Sequence, residues 1–169
     1  MQGLQTFAAA IPPLIFFGGI SQTFCAWWEM SLGNTYMATM FGVFGAFSLS
    51  IGCLLLPAFG LVGPERDAGL GLVLLSFMML FAFMLMGSLK CSFNVLCMLT
   101  STLVFVLLLG VHFITGAGSD GLRIASGVFG MIATALTWWL AVTNLWTSDV
   151  TFFRSPVVTL YTKSEEEMV

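Results

Sequence analysis

FNVLCMLTSTLVFVLLLGVHFIT, residues 93–115, runs without a single Asp, Glu, Lys or Arg. Wound as an α-helix at about 1.5 Å per residue, it would cross the roughly 30 Å hydrocarbon core of a bilayer. It is too long for a strand and shows no alternation, and an open sheet leaves backbone polar groups that lipid cannot satisfy. Four other stretches read the same way: 4–28, 36–62, 68–89 and 122–146. The sequence therefore predicts an all-α fold, a polytopic membrane helical bundle of five transmembrane helices over residues 1–148. Residues 149–169 are read as a polar, flexible cytoplasmic tail.

Composition supports the same class. Hydrophobic residues make up 59% of the 169 and charged residues 8%, against about 25% charged in soluble domains. Mean hydropathy is +1.02. So few charges cannot cover a water-facing surface, so the expected partner of most of this surface is the lipid bilayer. The charges fall at intervals between apolar runs: Glu29, then Glu65, Arg66 and Asp67, then Lys90, then Asp120 and Arg123, then the tail. Net charge is −3, which argues against nucleic acid, a partner that demands a basic face. Cys25, Cys53 and Cys97 lie inside apolar runs and Cys91 beside Lys90, a distribution that suits neither a disulfide framework nor a metal site. No metal and no cofactor is expected.

Short connections (29–35, 63–67, the turn around Lys90 and Cys91, and 116–121) make neighbouring helices antiparallel. Pro12 and Pro13 fall within the first stretch, so the regular helix either starts there or kinks there. Five spans put the termini on opposite sides. Lys90, Arg154 and Lys163 share the tail's side against Arg66 and Arg123, which favours a cytoplasmic tail.

Small and polar residues form stripes. On the fifth stretch Gly127, Gly130, Thr134, Thr137, Ala141 and Asn144 recur at intervals of three and four, which reads either as a packing seam or as the wall of a narrow pore. Gly18, Gly19, Gln22, Cys25, Ala26 and Glu29 make a similar stripe on the first. Thr35, Thr39, Gly42 and Ala46 lie on the second, and Asn94, Ser101 and Thr102 on the fourth. The amide of Gln22 lies well inside the bilayer and needs a partner or water. No charged residue sits at mid-membrane, so a carboxylate proton relay has no candidate. His112 stands alone near the end of the fourth stretch. No triad, phosphate loop or redox pair points to an enzyme. A path of hydroxyls and amides without fixed charge suits small solutes that are uncharged or neutralised in transit. A carboxylic acid of pKa near 4–5 would carry its own proton through.

Phe16-Phe17-Gly18-Gly19-Ile20-Ser21-Gln22 resembles the Phe-Tyr-Gly-Gly-x-x-Gln segment of the acetate uptake transporter family, which joins bacterial acetate/succinate–proton symporters to fungal acetate transporters linked to ammonia export. Glu29, Gly33-Asn34-Thr35, Phe44-Gly45-Ala46-Phe47, Pro57 with Gly60-Leu61, Gly87-Ser88-Leu89-Lys90 and Gly127-Val128-Phe129-Gly130 continue it in order, over about residues 10–147. Family members have six helices, the first opening Asn-Pro-Ala-Pro-Leu-Gly-Leu. That helix has no counterpart here, and the chain is expected to start just before the family's second helix. The resemblance implies a homo-oligomer, hexameric in the family, with a pore in each protomer. Phe44 takes the place of the tyrosine at the family's narrow point, Thr102 that of its leucine, and Ser48 that of a tryptophan.

The expected function is a plasma-membrane transporter or channel for acetate and similar small monocarboxylates, coupled to a proton. Gln22, Asn34, Thr35 and Asn144 would hydrogen-bond along the substrate path, and Phe44 would strip water from the solute. Thr102, Thr134 and Thr137 complete the expected path. Gly18, Gly19, Gly45, Gly127 and Gly130 are the expected helix-packing glycines. The alternatives are a conduit for ammonia or another small neutral solute, and a nonconducting oligomerising or regulatory membrane protein. In the tail, Ser164 before three glutamates suits an acidophilic kinase and Lys163 a ubiquitin acceptor.

Overall fold

The computed structural model describes residues 7–115, 120–146 and 151–152. Among these the chain is helical, with no strand. Five helices are long and apolar enough to cross a membrane: Ala8–Ser31, Thr35–Leu55, Gly63–Gly87, Phe93–Thr115 and Asp120–Leu145. Aromatic and long apolar side chains stand outward in quantity, with Phe17 76% and Trp138 71% exposed. Outside a bilayer such a surface would be an aggregation hazard. Inside one, each helix satisfies its own backbone and the apolar side chains meet lipid.

The first helix is not regular. A 3-10 turn, Phe7–Ala10, leads through Pro12 into a π-helix, Pro13–Ser21, which continues as α1, Gln22–Ser31. The two prolines sit at the start of the π-helix, where a missing N–H has no helical partner to lose. α1 ends in a Schellman arrangement: Gly33, at φ 79°, lets its N–H reach Met30 O at 3.1 Å and the Asn34 N–H reach Glu29 O at 3.0 Å. Asn34 then caps α2, Thr35–Leu55, by accepting from the Met37 N–H at 3.4 Å.

The stretch expected at 36–62 is shorter in the structure. Pro57 pushes Leu56 into the extended region (ψ 123°), so α2 stops at Leu55 and a 3-10 turn, Pro57–Phe59, follows. The loop expected at 63–67 is instead the first turn of α3, Gly63–Gly87. Pro64 is tolerated in a first turn, where its missing N–H has no partner to lose, and Glu65 sits where the helix dipole favours an acid. A turn over 88–91, closed by Cys91 N–H to Ser88 O at 2.8 Å, leads to α4, Phe93–Thr115. α5 is Asp120–Leu145.

The chain divides into two compact units, Met1–Phe77 with Gly110–Gly118, and Met78–Leu109 with Ser119–Val169. In the first, glycines bring helices together. A β-carbon at Gly18 would fall 2.7 Å from Ser48 Oγ, one at Gly19 2.5 Å from Leu49 Cδ2, and one at Gly52 2.8 Å from Ile15 Cγ1. These contacts run antiparallel in sequence. In the same unit Gly71 of α3 abuts Ile114 of α4, and Phe47 meets Phe77 edge-to-face at 5.3 Å. Lipid is as apolar as the side chains, so such close packing, more than apolar burial, holds the helices together.

The second unit is cored by Phe81, Leu99 and Val106, each 0% exposed. Asn94 Nδ2 on α4 donates to Leu136 O on α5 at 3.2 Å, and Gly130 gives space to the Phe105 ring. An interhelical hydrogen bond of this kind contributes about 0.6–2 kcal/mol in a membrane.

Candidate functional site

In the first unit the expected path residues separate into two groups. Gln22 follows directly on the π-helix. Its neighbour Thr23 packs on Gly45, which places Gln22 and Phe44 at the same depth of the antiparallel pair. Phe44 is half-buried on α2. Asn34 and Thr35 form the other group, at the start of α2, about 15 Å from Phe44 at 1.5 Å per residue. They are exposed, and Asn34 is occupied at both ends of its amide: Nδ2 donates to Glu29 Oε2 at 2.8 Å while Oδ1 caps Met37.

In the second unit Thr102 is buried on α4, and its hydroxyl donates to Met98 O at 2.9 Å. Thr134 and Thr137 are exposed on α5 and donate to Gly130 O at 2.9 Å and Ala133 O at 2.8 Å. Asn144, exposed near the end of α5, turns its Nδ2 back to Leu140 O at 2.9 Å. A β-carbon at Gly127 would meet nothing within 4 Å, whereas one at Gly130 would lie 3.2 Å from the Phe105 ring. Lys163 and Ser164 lie outside the described residues.

Two features govern the chemistry. Charged side chains among the described residues stand at helix ends and turns: Arg66 pairs with Asp67 at 3.0 Å and Arg123 with Asp120 at 3.2 Å. Most hydroxyl hydrogens along the helices are turned back onto the chain's own carbonyls, as for Thr23 to Gly19 O, Thr39 to Thr35 O and Ser50 to Ala46 O. Such a wall offers lone pairs more readily than hydrogens. Two buried atoms stand out against it. Gln22 Oε1 and His112 Nδ1, both in the first unit, have no hydrogen-bond partner. Sequence reading singles out both residues, but that their atoms are left without partners depends on side-chain placement that no local pattern reveals. Thr23, whose hydroxyl fills the hollow over Gly45, escapes that reading. Its only sequence signal is its place beside the Gly18-Gly19 stripe.

Known proteins give the chain its relatives. It is 31% identical over 160 residues to the acetate transporter protein patA of Aspergillus clavatus, covering 88% of this chain and 64% of the relative. It is 30% identical over 155 residues to ammonia transport outward protein 2 of Saccharomyces cerevisiae, covering 85% and 52%. The chain thus spans about half to two thirds of the length of these curated relatives. The solved structure of the bacterial acetate channel SatP superposes with a TM-score of 0.79 at 29% identity, covering 92% of this chain and 84% of that one. The model of the GPR1/FUN34/yaaH family matches residues 1–162. An all-helical membrane fold, this superposition and a match along nearly the whole sequence agree: the chain belongs to the GPR1/FUN34/yaaH family.

Proposed function

We propose that this chain moves acetate and similar small monocarboxylic acids across the plasma membrane, each with a proton. The observation that carries the reading is the absence of fixed charge from the helix interiors among the described residues, combined with most hydroxyl hydrogens already committed to backbone carbonyls. A bare carboxylate is acceptor-only and would meet few donors along such helices. Its protonated form is neutral and brings a donor of its own. Desolvating an ion is far more costly than desolvating the neutral acid, so the solute's proton takes the role a charged relay residue would otherwise fill. Family membership, the relative named as an acetate transporter and the superposed acetate channel support acetate as the solute. In this reading Gln22 and Phe44 act at one depth of the first unit, while Asn34 and Thr35 hold the end of α2. Thr102, Thr134, Thr137 and Asn144 supply lone pairs in the second. The work is transport, not catalysis, and the chain assembles as a homo-oligomer.

The test is uptake of labelled acetate by cells lacking their own carriers, at acid and neutral pH. Uptake above the empty vector that falls as pH rises supports the proposal. A second reading, an ammonia conduit, is favoured by the yeast relative named for outward ammonia transport. Methylammonium flux without acetate flux would select it. No flux, with stable association to a transporting relative, would select a nonconducting regulatory role.

A further inference from the structure

Gln22 Oε1 is buried and lacks a hydrogen-bond partner. Leaving a buried amide oxygen unpaired costs about 1–3 kcal/mol, and native structures keep few such groups without a use for them. The hydroxyls beside it in sequence do not relieve it. Ser21 Oγ donates to Phe16 O at 3.0 Å and Thr23 Oγ1 to Gly19 O at 2.9 Å. Gln22 also follows the last turn of the π-helix Pro13–Ser21. π-helical turns are uncommon and recur at functional sites, because the extra residue re-aims the side chains around it.

We propose that Gln22 Oε1 is the acceptor that selects solutes carrying their own O–H or N–H. Resting on the transport reading, this names the form of solute that the first unit recognises: a small neutral hydrogen-bond donor, such as a protonated carboxylic acid or ammonia. A carboxylate would set its own lone pairs against Oε1. A carboxylic acid turns its hydroxyl hydrogen toward Oε1 and completes the missing bond, with no covalent change. Acid and ammonia share that chemistry.

Three isosteres separate donor from shape: acetic acid with an O–H, acetamide with an N–H, and acetone with neither. The chain is reconstituted in liposomes, and unlabelled acetamide or acetone competes with labelled acetate. Labelled acetamide uptake is followed in parallel. Acetamide should compete about tenfold better than acetone, the factor expected for one hydrogen bond to a buried neutral acceptor. Gln22→Met keeps the volume, removes the oxygen and should erase that preference. Gln22→Glu keeps an oxygen there and should retain it. Should Gln22→Met fail to insert, Gln22→Ala takes its place with the same outcomes. Equal competition by acetone and acetamide in the wild type, or an acetamide preference surviving Gln22→Met, overturns the proposal. Gln22-dependent acetamide uptake without acetate uptake would keep it while sinking the acetate reading. Uptake of neither overturns both.

Discussion

Thr23 and Gly45 touch so closely that no side chain fits between them. A β-carbon on Gly45 would lie 2.9 Å from Thr23 Oγ1, 3.2 Å from Thr23 N and 3.2 Å from Gly19 O. Two of those three atoms are backbone, so no rotamer change clears the space. Gly45→Ala should therefore force the helices apart and destabilise the fold by about 1–3 kcal/mol. Gly127→Ala, with nothing within 4 Å, should not destabilise the single chain and, by removing a glycine from a helix interior, should stabilise it by up to about 1 kcal/mol. Thermal unfolding in detergent compares the two. An unchanged midpoint for Gly45→Ala would contradict the packing described.

Asn34 does three things at one helix junction: its backbone N–H closes the end of α1, its Oδ1 caps α2, and its Nδ2 holds Glu29. Asn34→Ala should cost about 0.5–2 kcal/mol through the lost cap alone. Asp is normally as good a cap as Asn, but here it would set a second carboxylate against Glu29. Asn34→Asp should thus destabilise, and Asn34→Asp combined with Glu29→Gln should recover most of the loss. The double-mutant comparison checks it. Equal stability of Asn34→Asp and the wild type would mean that the Glu29 contact does not form.

Phe44→Ala should widen the proposed constriction and admit larger monocarboxylates, raising the ratio of lactate to acetate uptake several-fold. Thr137→Leu should slow acetate while leaving membrane abundance intact. Uptake of both labelled acids in cells lacking other carriers measures both effects. Unchanged rates for both variants would remove these residues from the path.

Much of the fold could be read from hydropathy, because a helix in lipid must be long and apolar whatever it packs against. Helix ends depended on finer signals. Pro57 could have been read as the stop of α2, since the residue before a proline is driven out of helical conformation. Pro64 and Glu65 together describe a helix start, yet their polarity reads as a loop. Asn34 illustrates a different difficulty. Gly33-Asn34 is a helix end followed by a cap, chemistry that sequence can suggest, but a polar residue at a membrane edge invites a solute-binding role as readily. The π-helix was not legible. Nothing local distinguishes Pro13–Ser21 from an α-helix, and its winding goes with the tertiary contacts of Gly18 and Gly19 against α2. The orphaned oxygen of Gln22 is likewise a property of packing, not of pattern.

Proton-coupled movement of a neutral acid is tested most directly with the purified chain in liposomes that enclose a pH-sensitive dye, with labelled acetate added outside. The expected result is saturable acetate uptake faster than in protein-free liposomes, with the lumen acidifying in step with acetate. The rate should fall about tenfold for each pH unit above the acid's pKa, as the protonated fraction falls. Protein-dependent acetate uptake that leaves the lumen pH unchanged, or that is indifferent to external pH, would contradict it.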